Sequence, residues 1–454
     1  MVERKLNTRR SGFNISDDEW SFSKFNVFSK GDDGTLLLYN SYTGAFGGIP
    51  KEEEMNVKKI LKEGYFGKPK GIVNDLISGG MLVKKGVDEN NRAELLRQTL
   101  DRSDYLHLIL MPSEECNFRC VYCYENFPRG KMEESVIKGV ITLIKSRISK
   151  LNHLTISWFG GEPLSEPEVI YEITDSIMDE IKKHNITFNA NTTTNGYHLT
   201  PNLCKQLLKR GINIHNITLD GLEKDHDMAR RLKGGEGTFN VIINNLIQLK
   251  NTNLNFKINI RCNFTQNTDI NGYILYLNKL FSNDNRFNVF FRPVGKWGGP
   301  NDANLEVCEG REAGRMMLDA DMMAINNNLP VALLQESLSP LGSVCYASKP
   351  NSFTIGADGT VYKCTVALES DFNKIGKLQP DGILDLDFDK LALWVISGSS
   401  EDNICKNCFF RPSCHGDSCP LVRIESGKRP CPKEKEHIKN TLKIMWKQHT
   451  MYNN

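Results

Sequence analysis

The spacing of apolar residues changes character near residue 105. Before it, Phe25–Lys30 and Leu36–Asn40 predict two strands, joined by a hairpin turn at Gly31-Asp32-Asp33-Gly34. Helical spacing follows over Lys51–Glu63, with apolar residues at Met55, Val57, Ile60 and Leu61, and over Gly71–Ile77, stopped by Gly79-Gly80. Met81–Lys85 predicts a returning strand, and the polar residues 1–22 read as loose. This order of elements predicts a winged-helix-like unit over residues 1–90. Its plainer reading is a cap on the domain that follows.

From Leu106 onward, apolar runs of strand length alternate with helical patterns. The strands are Leu106–Met111, Leu154–Phe159, Ile186–Thr192, Ile214–Leu219, Phe256–Ile260 and Phe287–Phe291. Between them lie helices over Glu133–Ser149, Glu166–Lys183, Pro201–Arg210, Thr238–Leu249 and Thr268–Phe281. Six strands with crossover helices predict a parallel sheet wound right-handed and covered by helices. The fold class is therefore α/β, a partial (β/α)6 TIM-type barrel over residues 105–300. Gly295 to Pro300 reads as a linker or lid, and 301–344 as a linker with a helix near Arg311–Asn326. A hairpin at Phe353–Ile355 and Thr360–Lys363 turns through Gly356-Ala357-Asp358-Gly359 inside a cysteine-rich region, 345–435. The tail, 436–454, continues a helix predicted over Glu434–Gln448.

Composition narrows the function classes. The 454 residues suffice for two or three domains. Lys and Arg total 57 against 55 acidic residues, so no global charge argues for nucleic acid or an anionic membrane. The polar N-terminus lacks the apolar stretch of a secretory signal. No run approaches the roughly 20 apolar residues that span a bilayer. These features place the chain in the cytoplasm, with neither a membrane nor nucleic acid as partner. In that reducing compartment, 13 closely spaced cysteines point to metal ligands rather than disulfides.

Cys116, Cys120 and Cys123 follow the first predicted barrel strand, spaced C-x3-C-x2-C with Tyr122 between the last two. Three thiolates can hold three irons of a cubane [4Fe–4S] cluster and leave the fourth open. The rival is zinc, which would want a fourth protein ligand in a structural site; His107 and His153 are isolated and read as structural. Other chemistry-bearing residues also end strands: Gly160-Gly161-Glu162-Pro163, Thr193 to Gly196, Asp220-Gly221, Asn263, Thr265 and Arg292. Each alone is a turn signal, and for Asp-Gly and Asn-Gly that is the better reading. Together they fall on the rim where barrel active sites lie. Seven cysteines fill the C-terminal region: Cys345, Cys364, Cys405, Cys408, Cys414, Cys419 and Cys431. Zinc ribbons fit their spacing as well as clusters do. Two four-thiolate clusters need eight ligands, and Cys308 is the nearest further candidate. Cys204 and Cys262 lie in helix and strand patterns and read as core thiols.

Taken together, the C-x3-C-x2-C stretch with Tyr122, the Gly160–Pro163 run and six β/α units resemble the radical S-adenosylmethionine superfamily. The C-terminal cysteines resemble its SPASM subfamily, whose pattern is C, G-x4-C, C-x2-C-x5-C-x3-C, C. This chain departs from it once, with four residues between Cys414 and Cys419. The resemblance implies a cluster on Cys116, Cys120 and Cys123 that binds S-adenosyl-L-methionine and cleaves it reductively to methionine and a 5′-deoxyadenosyl radical. It implies cofactor contacts from Gly160, Gly161, Glu162 and Pro163 to the methionyl amino group. Thr218 and Arg230 would meet the carboxylate, with Asn263 and Tyr122 as further contacts. Two auxiliary [4Fe–4S] clusters would sit on Cys345, Cys364 and Cys419, and on Cys405, Cys408, Cys414 and Cys431.

Three functions follow as expectations. The first is a maturase that forms a thioether or other cross-link in a ribosomally made, cysteine-containing precursor peptide. The N-terminal unit resembles the leader-recognition domain of such enzymes, and a low-potential donor such as ferredoxin or flavodoxin would supply electrons. The second is an anaerobic sulfatase-maturing enzyme; there an Asp follows the G-x4-C cysteine, whereas Thr365 follows Cys364 here. The third is a non-catalytic zinc or nucleic-acid module, disfavoured by neutral charge and the cofactor-like rim.

Overall fold

Residues 19–282, 284–308, 310–396 and 402–453 are described by the structure, a computed structural model. The N-terminal unit runs β1 (Glu19–Phe22), β2 (Asn26–Lys30), β3 (Leu36–Asn40), β4 (Phe46–Ile49), α1 (Glu54–Glu63), β5 (Tyr65–Phe66), α2 (Ile72–Ser78), β6 (Leu82–Lys84) and α3 (Glu89–Gln98). Its strands form two antiparallel sheets, ordered β5-β1-β6 and β2-β3-β4. Within the polar stretch read as loose, Glu19–Phe22 is a strand, because Trp20 packs on the α1/α2 core; residues 1–18 lie outside the described residues. β4 and α3 carried no sequence expectation.

β3 explains how this unit sits. Its five residues, Leu-Leu-Leu-Tyr-Asn, are all buried. Alternate side chains of a strand point to opposite faces. Leu36 and Leu38 therefore pack on Val57, Ile60 and Leu61 of α1 and on Leu76 of α2. Leu37 and Tyr39 face the other way, onto Leu338, Phe410, Ile438 and Leu442 of the C-terminal region. A strand that is apolar on both faces cannot belong to a unit that stands alone.

The central region is β7 (Tyr105–Ser113), β8 (Phe118–Cys120), α4 (Glu134–Arg147), β9 (His153–Gly160), α5 (Pro167–Lys183), β10 (Thr187–Thr194), α6 (Pro201–Leu208), β11 (Ile212–Thr218), α7 (Glu223–Ala229), β12 (Arg230–Leu232), α8 (Phe239–Lys250), β13 (Lys257–Phe264), α9 (Ile270–Phe281) and β14 (Phe287–Pro293). β7, β9, β10, β11, β13 and β14 are parallel neighbours in that order, the alternation read from the sequence. Their strand and helix side chains share one large apolar core.

The C-terminal region comprises α10 (Gly310–Asn326), α11 (Leu334–Leu338), β15 (Ser352–Ile355), β16 (Thr360–Tyr362), β17 (Lys374–Leu378), β18 (Leu384–Leu386), α12 (Phe388–Val395), α13 (Asn403–Lys406), α14 (Arg411–Cys414), α15 (Pro420–Ser426), α16 (Lys433–Glu436) and α17 (Ile438–Asn453). The expected hairpin is β15–β16, and it does not stand apart. β15 pairs in parallel with β7, so one ten-stranded sheet runs β14-β13-β11-β10-β9-β7-β15-β16-β17-β18. The expected tail helix is two helices, broken at His437. Among the described residues no helix is long and apolar enough to cross a membrane.

Candidate active site

β7 delivers the chain to the cysteine loop. β8, inside that loop, pairs antiparallel with β12, which sets Cys120 opposite Arg230. The loop closes over the ends of the parallel strands and leaves a cavity of about 940 Å³, its open mouth included. Cys116, Cys120, Cys123, Tyr122, Gly160, Gly161, Thr218, Arg230 and Asn263 all line it. Gly295 and Trp297, from the stretch read as a linker or lid, form part of its wall. Asn301 ties that wall down by donating to Val121 O at 3.1 Å.

The glycine pair is required by close approach. A Cβ on Gly160 would lie 2.3 Å from Ser113 O, and one on Gly161 would lie 2.5 Å from Glu115 O. Gly160 also has φ +111°, where glycine is favoured. Glu162 does not itself line the cavity. Its carboxylate is fully buried and accepts from Leu164 N at 2.9 Å, Thr194 Oγ1 at 2.7 Å and Asn195 N at 2.7 Å. Burial raises its pKa against the pull of those donors. Such a carboxylate fastens the rim; Gly160 and Gly161 are what line the cavity. Pro163 follows in a buried 3-10 turn and does not line it.

Tyr122 is a hub beneath the cysteine loop. Its hydroxyl donates to Asp220 Oδ2 and accepts from Arg230 Nη1 at 2.8 Å and Asn263 Nδ2 at 3.0 Å. Asp220 Oδ1 also accepts from Asn263 N at 2.8 Å. The Asp220 carboxyl is pushed up by burial and held back by Arg230. Thus Tyr122, Arg230 and Asn263 converge as expected, and Asp220 joins them although its Asp-Gly pair was read as a turn. Its position at the end of β11 is the signal that placed it on the rim with the other strand-end residues. Asn195, from the Thr193–Gly196 strand end, also lines the cavity, as does Arg261, which carried no sequence expectation. Arg261 Nε donates to Asn263 Oδ1 at 2.7 Å, and Asn195 Nδ2 donates to Asn117 Oδ1 at 2.7 Å.

The cavity fits a thiolate-held cluster beside a zwitterionic ligand. Burial, above all, raises the three thiols, Cys123 to about 12, so an adjacent metal would be needed to hold them as thiolates. Arg230 Nε is buried without an acceptor, as a bound carboxylate would supply.

The C-terminal thiols form two groups. Cys405, Cys408, Cys414 and Cys431 line one small cavity. Burial and these neighbours raise the Cys414 thiol to about 12. Cys345, Cys364 and Cys419 influence one another, and burial together with the other two raises Cys345 to about 12. Cys308 is buried with Sγ 3.5 Å from Met316 Sδ. Cys204 and Cys262 are core residues. Among the described residues, no three His, Cys, Asp or Glu side chains converge tightly enough for a single metal ion.

Residues 110–267 match the radical SAM superfamily. This chain carries a radical SAM domain. Around that domain, similarity extends at lower identity. The chain is 33% identical over 130 residues to a GTP 3′,8-cyclase of Microcystis aeruginosa, covering 28% of itself and 37% of that protein. It is 23% identical over 315 residues to the radical SAM cyclopropyl synthase TigE of Paramaledivibacter caminithermalis, covering 60% and 66%. A cysteine-type anaerobic sulfatase-maturating enzyme of Clostridium novyi is 22% identical over 332 residues, covering 68% of this chain and 86% of that one. The chain spans between 37% and 51% of the length of the curated relatives it matches first. Among solved structures, native anSMEcpe with bound AdoMet and Kp18Cys peptide superposes with a TM-score of 0.54 at 20% identity, covering 77% of this chain and all of that one. That likeness extends the shared fold beyond the radical SAM domain.

Proposed function

We propose that this chain is a radical S-adenosylmethionine enzyme of the SPASM type that modifies a ribosomally made peptide, joining a cysteine thiol to carbon as a thioether; the carbon would give its hydrogen atom to the 5′-deoxyadenosyl radical, the thiol would lose its proton to solvent, and an auxiliary iron–sulfur cluster would be the acceptor of the remaining electron. The observation that supports it most is the convergence of three cysteine thiols, a glycine pair and a buried arginine with an unpartnered donor on one cavity. Cys116, Cys120 and Cys123 would hold a [4Fe–4S] cluster. With S-adenosylmethionine, that group supplies a 5′-deoxyadenosyl radical able to take a hydrogen atom from an unactivated carbon. The backbone at Gly160 and Gly161 would receive the methionyl ammonium, while Arg230, held in place by Tyr122, and Thr218 would meet its carboxylate. Asn263 positions Tyr122 from β13. Cys345, Cys364 and Cys419 would hold one auxiliary cluster, and Cys405, Cys408, Cys414 and Cys431 the other. A low-potential donor such as ferredoxin or flavodoxin would serve the enzyme in the cytoplasm.

The peptide reading draws on the N-terminal unit. A cleft of about 730 Å³ lies beside β6 and the start of α3, lined among others by Trp20, Val83, Glu89 and Arg92. Among the described residues β6 pairs on one side, with β1. An extended leader segment could add to its other edge. The sulfatase-maturing alternative draws on the Clostridium novyi relative. Against it, Thr365 stands where that family carries an Asp, and its hydroxyl bonds Tyr346 OH at 2.9 Å, which gives no general base there.

Anaerobic reconstitution followed by iron and sulfide analysis is expected to give about twelve irons per chain. Cys116→Ala, Cys120→Ala and Cys123→Ala together should lower this to about eight and abolish 5′-deoxyadenosine formation. Zinc without labile sulfide would overturn the proposal. Co-expression with a small cysteine-rich peptide, read by mass spectrometry, separates the substrate readings. A thioether loses hydrogens and blocks thiol alkylation, whereas formylglycine exposes a carbonyl.

A further inference from the structure

α3 presents two faces with different partners. Glu89 and Arg92 wall the N-terminal cleft. Glu89 also pins the helix start by accepting from Ser23 Oγ and from Lys24 N at 2.9 Å. Asn90, Glu94 and Arg97, spaced i, i+4 and i+7, fall on another face, directed at the loop that carries the auxiliary thiols. Glu94 Oε2 accepts from Arg411 Nη2 at 2.7 Å. Asp417 Oδ2 accepts from Arg97 Nη2 at 3.3 Å. Each pair joins a buried partner, Arg411 or Asp417, to one that reaches solvent, Glu94 or Arg97. His415, 3% exposed, lies beside Arg411 and Arg97 with both ring nitrogens unpartnered.

Asp417 is the junction. Its N–H donates to Cys414 O at 2.8 Å, and its carbonyl accepts from Cys345 N at 2.9 Å. One residue is therefore hydrogen-bonded to the backbone of a thiol-bearing residue from each C-terminal group. Tyr39 adds a third tie, donating to Leu338 O at 2.6 Å and bonding Ser413 Oγ at 3.0 Å.

We propose that α3 is a clamp on the cluster-bearing loop: Glu94–Arg411 and Arg97–Asp417 position Cys414 and Cys345, so both auxiliary clusters respond to what occupies the N-terminal cleft on the other face of the same helix. This rests on the reading of the seven C-terminal thiols as cluster ligands. Glu94 and Arg97 are positioning residues, since they touch neither cluster nor substrate.

The test uses the full-length chain carrying Cys116→Ala, Cys120→Ala and Cys123→Ala, so that only auxiliary iron is observed. Iron release to a ferrous chelator and the electron paramagnetic resonance spectrum of the reduced protein are measured in this parent. Glu94→Gln, Arg97→Met and Arg97→Lys are then added singly. Glu94→Gln and Arg97→Met are expected to speed iron release by about tenfold or more, the range for partners that orient metal ligands, and to alter the spectrum; Arg97→Lys should restore most of both. Arg92→Trp, which fills the cleft, is expected to shift the same spectrum without touching the loop. Parent-like spectra and release rates in both Glu94→Gln and Arg97→Met would overturn the clamp, and a silent Arg92→Trp would overturn its link to the cleft. A parent that holds no iron would overturn the cluster reading, and the clamp with it.

Discussion

Tyr122 shows how much one side chain organises here. Its hydroxyl has three buried partners, so Tyr122→Phe leaves Asp220, Arg230 and Asn263 each short of a bond. A loss of about 1–3 kcal/mol is expected, read by denaturant unfolding of the apo protein. S-adenosylmethionine affinity, read by equilibrium dialysis, should fall as Arg230 loses its support. Two histidines of the central sheet tie stability to pH. His107, in β7, is bonded to Ser157 and Ser352, and His215, in β11, to Thr192; burial lowers each to about 4. Both are neutral in the native chain, while the unfolded chain takes up their protons near pH 6.5. Their stability contribution is therefore full above about pH 6.5 and lost as pH falls toward 4. Thermal melts from pH 7.5 to 5 should show a falling midpoint. Each histidine adds a slope of up to about 1.4 kcal/mol per pH unit below its unfolded pKa, and His107→Asn should flatten the trend.

At the scale of elements, the decisive events are strand ends held by side chains from other strands. Glu162, just past β9, accepts two hydrogen bonds from the end of β10, and so fixes one part of the rim against the next. Glu162→Gln removes a charge that three donors share. It should destabilise the protein by about 1.5–3 kcal/mol without any ligand present. A stability unchanged in the apo state, with only cofactor binding weakened, would restore the role read from the motif. α3 depends on its cap. Asp88 accepts from Asn90 N at 2.9 Å and Asn91 N at 3.1 Å. Asp88→Ala should cost about 1 kcal/mol and loosen the helix start, visible as faster amide exchange over residues 89–92.

For the whole molecule, the N-terminal unit and the C-terminal region are one packing problem. Leu37 and Tyr39 close over Leu338, Phe410, Ile438 and Leu442. The core of the central sheet draws on neither β3 nor α1. Deleting residues 1–98 should therefore spare iron on Cys116, Cys120 and Cys123, while the apolar face exposed beside Cys408 and Cys414 costs that group its iron, so the count falls to about eight or below. Iron analysis with sedimentation of the truncated chain checks this, and retention of about twelve irons would refute it.

Local pattern sufficed wherever the physics is local. Period and length marked the six parallel strands, because a strand covered by helices must be apolar along its run. Close spacing marked the thiols, because ligands on one loop must reach one group. Tertiary structure decided what depends on residues far apart in the chain. β15 lies beside β7 although nearly 240 residues separate them, and no local signal encodes that pairing. Asp-Gly at 220 and 221 is both a turn and a buried carboxylate, and only the arrival of Tyr122 and Arg230 distinguishes the two. Glu162 has the charge to meet an ammonium, but its three donors come from the following turn and the end of the neighbouring strand. The run Leu36–Asn40 announced a strand; that its second face belongs to the C-terminal cluster region was settled only when the chain folded back upon it.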